Sequence, residues 1–415
     1  MRIALLSYRS KAHVGGQGIY VRHLSRELVA LGHTVEVFSG QPYPELDASV
    51  TLTKVPSLDL YREPDPFRVP HWREFRDLID VQEFATMAVG GFPEPRTFAR
   101  RVVRLLAQRV DDFDVVHDNQ TLGAGILDIE NTLGLPLVTT IHHPITVDRR
   151  IELEAAPSLR KKFGVARWYG FVGMQSRVAK KLRLVITPSD SSARDVATEF
   201  GIDPARIRSI PLGVDERFAP PTEPRVPGRI LAMASADAPL KGIGTLLEAF
   251  AKLRTERDIH LMLVTSLKAG GVTERLIDQL GIAEHVQFVN GLSDDELVAA
   301  MGSAEVACVP SLYEGFSLPT AELMACATPL VVSRAGAIPE VVGPDGLAAD
   351  LVEPGDVGQL EQALARLLDD PVRRAAMGHA GRQRVLDLFS WTAVAEKVTA
   401  VYAEAMSTTE REHLC

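Results

Sequence analysis

The same alternation of short apolar runs and longer amphipathic stretches occurs twice along this chain. Short β-branched or apolar runs alternate with stretches of helical periodicity in the first half, and the second half starts the pattern again. Parallel strands joined by crossover helices give this pattern. We therefore predict an α/β protein with two doubly wound domains. The predicted strands lie near Arg2–Leu6, Thr34–Phe38, Val50–Val55, Asp114–His117, Leu137–Ile141 and Leu184–Thr187, and near Arg229–Ala234, His260–Thr265, Val286–Val289, Val306–Pro310 and Pro329–Ser333.

The best candidate for a linker is Phe218–Gly228, which carries four prolines in eleven residues. Proline donates no backbone hydrogen bond and resists both helix and sheet. A chain of 415 residues is also too long for one hydrophobic core, so we place a first domain at 1–217 and a second at 218–389. Ligands of doubly wound sheets bind at the carboxyl ends of the strands, so we expect the domains to meet across a cleft lined by loops of both.

Charge and cysteine content narrow the class of protein. A formal charge of −9 argues against a general nucleic-acid binder, which needs a basic face. The three cysteines, Cys308, Cys326 and Cys415, are odd in number, and two lie in apolar runs typical of a core, as in proteins of reducing compartments. The amino terminus has too few apolar residues for a signal peptide, and no run approaches the roughly 18 of a membrane span. We expect a cytoplasmic protein.

Two glutamates, Glu314 and Glu322, flank a predicted turn between a strand and a helix. Pro319 suits the first turn of that helix, which places Glu314 in the loop and Glu322 inside the helix. Free backbone amides at a helix start bind anions, and carboxylates accept hydrogen bonds from sugar hydroxyls. The pattern therefore suits a nucleotide sugar, although a solvated helix residue and an ordinary turn residue would give the same letters. The residues between the two glutamates that would supply amides are Gly315, Phe316, Ser317 and Leu318.

A glycine-rich turn follows the first predicted strand. Gly15, Gly16 and Gly18 precede an amphipathic helix and would let the backbone approach a ligand closely. The dinucleotide fingerprint would need a further glycine where this chain has Val21, so a dehydrogenase is disfavoured. A tight turn without a ligand remains the alternative.

Charged and titratable residues follow other predicted strands. Lys241 ends a strand-to-helix loop, from which its ammonium group could neutralise a diphosphate, although it could equally be a solvated surface residue. His142 and His143 follow the strand Leu137–Ile141 at its carboxyl end, where a histidine is otherwise a capping or core residue. These positions place candidate site residues in both halves of the chain.

Taken together, these segments resemble the retaining glycosyltransferases of family 4, and the match covers nearly the whole chain. Its most specific part is "EGFSLPTAELMACATP", which is similar to the E-x7-E signature of that family. Further matching segments are "VGGQGIYVRHLSREL", "HDN", "TIHH", "VITPSDSSARDV", "IPLGVD", "VNGLSDDEL", "AGAIPEVV" and "FSW". The resemblance implies the GT-B fold, in which two Rossmann-like domains face each other across a cleft. It also implies that a terminal helix at about 390–406 crosses back onto the first domain.

The resemblance implies transfer of a hexosyl unit from a UDP- or GDP-linked sugar to a hydroxyl of a glycan, glycolipid or small molecule. Configuration would be retained, with no metal and no cofactor. In the implied site Glu322 binds the ribose, Glu314 binds the transferred sugar, Lys241 holds the diphosphate, Gly15 and Gly16 approach the donor, and His142 lies beside the sugar ring; Gly315, Phe316, Ser317 and Leu318 complete the donor site. Of these residues, His142, Lys241 and Glu314 are expected to act in catalysis.

The chain departs from the family at the usual Gly-Arg that precedes the lysine. Ser235 or Ala236 stands where the arginine would contact the diphosphate. Either another cation such as Lys268 replaces it, or the donor binds weakly, or catalysis is lost, and alanine also stands at Ala327 where glycine is common. A non-catalytic sugar-nucleotide-binding subunit and a nucleotide-sugar epimerase therefore remain alternatives. An Asp-x-Asp at 112–114 could bind a divalent cation but lies at the wrong end of its strand.

The segment 149–183 breaks the alternating pattern. It carries ten Lys or Arg and only two acidic residues, interleaved with Phe163, Trp168, Tyr169 and Phe171. Such a segment suits contact with an anionic membrane surface, or with a lipid-linked or phosphorylated acceptor. A solvated helix face is the alternative.

Overall fold

The chain forms two compact units in a computed structural model that describes residues 1–10, 16–62, 64–234, 237–265 and 270–413, with side chains described up to 408. The first unit comprises Met1–Pro211 with Trp391–Cys415, and the second comprises Leu212–Ser390. Predictions made above for Gly15, Ser235, Ala236, Lys268 and Cys415 lie outside the described residues.

A seven-stranded parallel sheet organises the first unit, in the order β3-β2-β1-β4-β5-β6-β7. The interior strand β1 contains an unbroken apolar run because helices cover both faces of such a sheet, and the residues of this run, Ile3 to Leu6, are fully buried. The strands are β1 (Arg2–Ser7), β2 (Thr34–Ser39), β3 (Thr51–Lys54), β4 (Val115–Asn119), β5 (Leu137–Thr140), β6 (Val185–Thr187) and β7 (Ile207–Ser209).

Eight α-helices among the described residues connect these strands, and the last described helix returns to the same unit. They are α1 (Gly16–Ala30), α2 (Leu78–Ala88), α3 (Glu94–Leu106), α4 (Leu127–Asn131), α5 (Ile145–Ala155), α6 (Leu159–Trp168), α7 (Val172–Ala179) and α8 (Asp190–Phe200), and the returning helix, numbered α16 in chain order, is Trp391–His413. The hydroxyl of Tyr402 on α16 lies 2.6 Å from His117 Nδ1 at the buried centre of β4. The predicted terminal helix is therefore confirmed and extends beyond residue 406.

The second unit contains a six-stranded parallel sheet in the order β10-β9-β8-β11-β12-β13. The strands are β8 (Val226–Met233), β9 (His260–Val264), β10 (Val286–Val289), β11 (Ala304–Val309), β12 (Leu330–Ser333) and β13 (Asp350–Val352). The helices are α9 (Ile243–Arg254), α10 (Val272–Leu280), α11 (Asp294–Ser303), α12 (Leu318–Ala325), α13 (Ile338–Val342), α14 (Val357–Asp369) and α15 (Pro371–Leu388). The described units are thus both doubly wound, as predicted.

All eleven predicted strands are present, but the predicted linker needs a correction. Strand β8 begins at Val226, so the last three residues of Phe218–Gly228 belong to a central strand. Pro227 fits there because the register between β8 and β11 shifts at this point, which spares a ladder hydrogen bond. No helix in the described part of the chain is long and apolar enough to cross a membrane.

Candidate active site

Two loops meet at the reversal of strand order in the second unit, where β8 and β11 are neighbours. At such a reversal the following chain segments diverge to opposite faces and leave a crevice at the carboxyl ends of the strands. The amide of Leu312, after β11, donates to the carbonyl of Leu240, after β8, at 2.7 Å. Gly242 allows this approach, because a Cβ there would lie 1.9 Å from the carbonyl oxygen of Pro310, and its φ is +62°. The loops that carry Lys241 and Glu314 are therefore held together.

Lys241 and Glu314 form an ion pair in this crevice, with 2.7 Å between Lys241 Nζ and Glu314 Oε1. The hydroxyl of Ser311 donates to the same oxygen at 2.7 Å. The lysine side chain is 32% exposed and the glutamate side chain 11%, so the ammonium group remains accessible while the carboxylate is largely enclosed. The structure therefore places two of the three predicted catalytic residues in contact.

A third loop, after β12, fixes the backbone of Glu314. The amide of Ala337 donates to the Glu314 carbonyl at 2.9 Å. A Cβ on Gly336 would lie only 2.1 Å from that oxygen, and φ at this glycine is +54°. Glycine is thus required at 336 for both steric and conformational reasons.

Backbone amides without a hydrogen-bond partner lie at the start of α12. Within the described chain, the amides of Phe316, Ser317 and Leu318 donate no hydrogen bond. Ser317 adopts a left-handed conformation with φ +79°, and Phe316 is buried against the ring of Phe389, with 5.5 Å between centroids. The turn is therefore anchored by a buried aromatic side chain, and its amides can donate hydrogen bonds to an anion.

Glu322 lies inside α12 and is only 9% exposed. No other residue that the structure describes donates a hydrogen bond to its carboxyl group. Burial raises its pKa to about 7; the Asp215 carboxylate raises that pKa further, and the Arg217 guanidinium opposes the shift. A buried carboxyl group without a hydrogen-bond partner costs free energy unless a ligand supplies that partner. The burial of Glu322 therefore fits a ligand contact and not the solvated helix residue considered above.

His142 lies in the first unit, just after β5, and is held from several sides. Its Nε2 is 2.7 Å from Asn119 Oδ1, its amide donates to Gln120 Oε1 at 2.7 Å, and its ring lies edge-on to Tyr20. Burial lowers the pKa of His142 to about 3, so the imidazole is neutral at physiological pH. Since Asn119 Oδ1 can only accept, His142 Nε2 carries the hydrogen, and Nδ1 is left as an acceptor.

The histidine is linked to the start of α1 through Asn119. The Asn119 side-chain amide donates to the carbonyl of Gln17 at 3.3 Å, next to the exposed Gly16 that begins the helix. Sequence reasoning gave Asn119 and Gln120 no role of their own. The position of "HDN" at the carboxyl end of a buried strand was the available signal, and Gln120 further has a positive φ of +54°. The His143 carbonyl accepts from Gln120 Nε2 at 2.8 Å, while its ring pairs with Asp148 at 2.7 Å.

Both aspartates of the Asp-x-Asp at 112–114 form ion pairs with arginines. Asp114 Oδ1 is 2.5 Å from Arg2 Nη2, and Asp112 Oδ2 is 2.6 Å from Arg109 Nε. Both aspartates precede β4 at its amino end, as the sequence predicted. This pair therefore serves structural ion pairs rather than the site at the carboxyl ends of the strands.

Comparison with known proteins agrees with this geometry. The model of the family "Glycosyltransferase Family 4" matches residues 14–218, and that of "Glycosyl transferases group 1" matches residues 215–384. The chain is 59% identical over 408 residues to the MMP alpha-(1->4)-mannosyltransferase of Mycolicibacterium hassiacum, covering 98% of this chain and 99% of that relative. The chain is a family 4 glycosyltransferase. The alternatives of a non-catalytic subunit and an epimerase find no support among these matches.

A more distant sequence relative and two solved structures also match this glycosyltransferase. The D-inositol 3-phosphate glycosyltransferase of Kribbella flavida is 27% identical, covering 99% of this chain and 97% of that relative. Sucrose-phosphate synthase (tll1590) from Thermosynechococcus elongatus superposes with a TM-score of 0.74 at 22% identity, covering 98% and 99% of the two chains. Anabaena Alr3699/HepE in complex with UDP-glucose superposes with a TM-score of 0.68 at 16% identity, covering 98% and 100%. The predicted GT-B fold is confirmed.

Proposed function

We propose that this glycosyltransferase moves a mannosyl unit from a nucleoside-diphosphate mannose to the 4-hydroxyl of a mannose-containing acceptor and forms an α linkage. The observation that carries this proposal is the 59% identity to an alpha-(1->4)-mannosyltransferase over 98% of the chain. Such extensive similarity favours a shared donor sugar and linkage, whereas similarity at 27% to an inositol-phosphate enzyme supports only the reaction class.

In this proposal the crevice of the second unit binds the donor. The amides of Phe316, Ser317 and Leu318 receive the diphosphate, and Glu322 accepts hydrogen bonds from the ribose hydroxyls. The Lys241–Glu314 pair opens on binding, since a diphosphate attracts the ammonium group more strongly than one carboxylate does, and Glu314 then accepts from the sugar hydroxyls. The short Lys241–Glu314 and Ser311–Glu314 distances support this arrangement, because they place both side chains in the crevice.

The chemical step is cleavage of the bond between the anomeric carbon and the donor phosphate. Negative charge develops on the departing diphosphate, and fixed donors aimed at that charge lower the barrier. We assign this role to Lys241 and to the amides that begin α12, with no metal ion and no other cofactor. The acceptor hydroxyl attacks from the face that the diphosphate leaves and passes its proton to a diphosphate oxygen, which retains the configuration. The role of His142 beside the sugar ring follows from family resemblance, and its neutral imidazole suits a hydrogen bond to a sugar hydroxyl.

A binding screen tests the choice of donor. The melting temperature of the purified protein is measured with nucleoside diphosphates and their mannose and glucose conjugates at equal concentration, because a ligand of the folded state raises it. We expect a nucleoside-diphosphate mannose to give the largest shift, and Glu322→Gln to reduce that shift. A larger shift with a glucose conjugate, together with glucosyl transfer in place of mannosyl transfer, would overturn the proposed specificity.

A second proposal is peripheral contact of α6 with an anionic membrane surface. No residue of this ten-residue helix is fully buried, and Leu159 and Phe163 are 86% and 62% exposed beside the exposed Arg160 and Lys161. Apolar side chains next to cationic ones suit the boundary between acyl chains and anionic headgroups. The predicted cytoplasmic location would place α6 at an inner membrane face.

Liposome flotation at low salt tests this contact. We expect recovery with anionic vesicles but not with neutral ones, and loss of recovery in the double variant Leu159→Ser, Phe163→Ser. Equal recovery with both kinds of vesicle would remove the proposal.

A further inference from the structure

An open pocket of about 430 Å³ lies between α5 and α6 in the first unit. Its lining residues are Thr146, Arg149, Arg150, Leu153, Glu154 and Lys162. Three of these six side chains are cationic and one is a carboxylate. We call it the α5–α6 pocket, and neither the donor crevice nor the His142 network uses any of its residues.

The helical repeat explains why these side chains share one pocket. Thr146, Arg149, Arg150 and Leu153 are spaced by three, four and seven residues on α5, and residues at these spacings lie on one face of a helix. Ser158 caps α6 by accepting from the amide of Lys161, which sets the start of the helix that carries Lys162. Cationic side chains of α5 and α6 therefore line the same pocket.

The polar groups of the pocket are not satisfied within the protein. Arg149 Nε and Thr146 Oγ1 are buried and have no hydrogen-bond partner. No carboxylate in the described chain lies within ion-pair distance of Arg149 or Lys162, whereas Arg150 pairs with Glu199 at 2.9 Å. Buried donors normally have a partner, so an enclosed guanidinium nitrogen without one points to a ligand that supplies acceptors.

We propose that the α5–α6 pocket binds a phosphate-type anion. A guanidinium group donates in a planar fork that matches two phosphate oxygens, an ammonium group adds a second charge, and a hydroxyl can donate to a third oxygen. Arg149, Lys162 and Thr146 provide these three donors. The phosphoryl group can belong to a soluble phosphate ester or to a lipid headgroup, which share this chemistry. The inference concerns binding alone and is independent of which sugar the enzyme transfers.

Calorimetric titration of the full-length protein with inorganic phosphate tests the site, with chloride at matched ionic strength as the reference. We expect saturable binding of about one phosphate per chain, and an affinity at least about tenfold weaker in Arg149→Gln and in Lys162→Gln, since each removes a charged hydrogen bond. Arg177→Gln is the matched control, because Arg177 is an exposed arginine of the same basic segment, on α7 and outside the pocket. Circular dichroism shows whether the charge variants fold. If one of them misfolds, Thr146→Val is used in its place, because it removes only the hydroxyl donor of the pocket and should also weaken phosphate binding.

Vesicles that contain phosphatidic acid separate the two sources of the phosphoryl group. Competition between vesicles and inorganic phosphate, lost in Arg149→Gln, would identify a lipid headgroup as a ligand. Phosphate binding without such competition would identify a soluble ester. The proposal is overturned if phosphate binds no better than chloride, or if Arg149→Gln and Lys162→Gln bind it as well as Arg177→Gln does.

Discussion

Replacement of Lys241 by alanine should remove most turnover while leaving the fold intact. The substitution removes the ammonium group that lies 2.7 Å from Glu314 in the donor crevice. The backbone of Lys241 is held independently of its side chain, by the hydrogen bond between Leu312 and Leu240 and by the close approach of Gly242 to Pro310. The loop should therefore keep its course in the variant.

The expected effect of Lys241→Ala on turnover is much larger than its effect on the free energy of unfolding. Loss of one donor that stabilises developing charge typically lowers turnover by about 10²–10³, or about 2.7–4 kcal/mol in the activation free energy. The ion pair with Glu314 is partly exposed on the lysine side, and such pairs contribute about 1 kcal/mol or less to the free energy of unfolding. Turnover should thus change far more than stability.

The assay is turnover at saturating donor for the wild type, Lys241→Ala and the control Lys252→Ala. Lys252 lies on α9 of the same unit, is 58% exposed and pairs with Glu361 at 3.7 Å, so its loss changes the net charge equally. We expect the control to retain wild-type turnover. A Lys241→Ala enzyme with more than about a third of wild-type turnover would show that other groups hold the phosphate, and the role given to Lys241 would be wrong.

Four further predictions concern carboxyl groups and a glycine. Glu322→Ala should weaken donor binding by about 1.5–3 kcal/mol without lowering the melting temperature, because it removes a ligand contact; unchanged affinity in calorimetry would place Glu322 outside the site. Since burial raises the pKa of Glu322 to about 7 and the ionised form is the better acceptor, donor affinity should increase from pH 6 to pH 8 in the wild type but not in Glu322→Gln. Burial also raises the pKa of Glu94 from 4.5 to about 8. Between these two pH values the folded protein keeps a proton that the unfolded chain releases, so the free energy of unfolding should fall as pH rises from 4.5 to about 8. Urea titrations across this range should show a flatter pH profile for Glu94→Gln than for the wild type. Gly336→Ala should weaken donor binding and destabilise the protein by more than Gly355→Ala, because both glycines have positive φ but only at Gly336 would a Cβ meet the Glu314 carbonyl; equal thermal melts for the two variants would contradict this explanation.

Long apolar runs made most of the fold predictable. Strands such as β1 are buried on both faces, so their sequences contain unbroken apolar runs that indicate a strand. The two strands that were not predicted, Ile207–Ser209 and Asp350–Val352, have three residues each and include charged side chains. Proline normally avoids central strands, so the sequence predicts that Pro227 lies in a linker, and only the register shift opposite Pro227 shows why the strand tolerates it.

The sequence predicted which residues belong to the candidate site, but not which of them contact one another. Glu314, Glu322 and the amides between them are close in sequence, so local rules gave their arrangement around the start of a helix. Lys241 and Glu314 are 73 residues apart, and only the adjacency of β8 and β11 brings them to 2.7 Å. The Asn119–His142 bond likewise depends on β4 and β5 being neighbours. Local pattern cannot supply such pairings.

The product of a single transfer reaction gives the most direct test of the proposed function. The purified protein is incubated with a nucleoside-diphosphate mannose labelled with ¹³C in the sugar and with a short α-linked mannoside, and the product is examined by NMR. We predict a new α-(1→4) mannosyl linkage whose anomeric configuration is that of the donor, formed by the wild type and lost in Lys241→Ala. A β-linked product, or no mannosyl transfer by an enzyme that binds the donor and acceptor, would contradict the proposal.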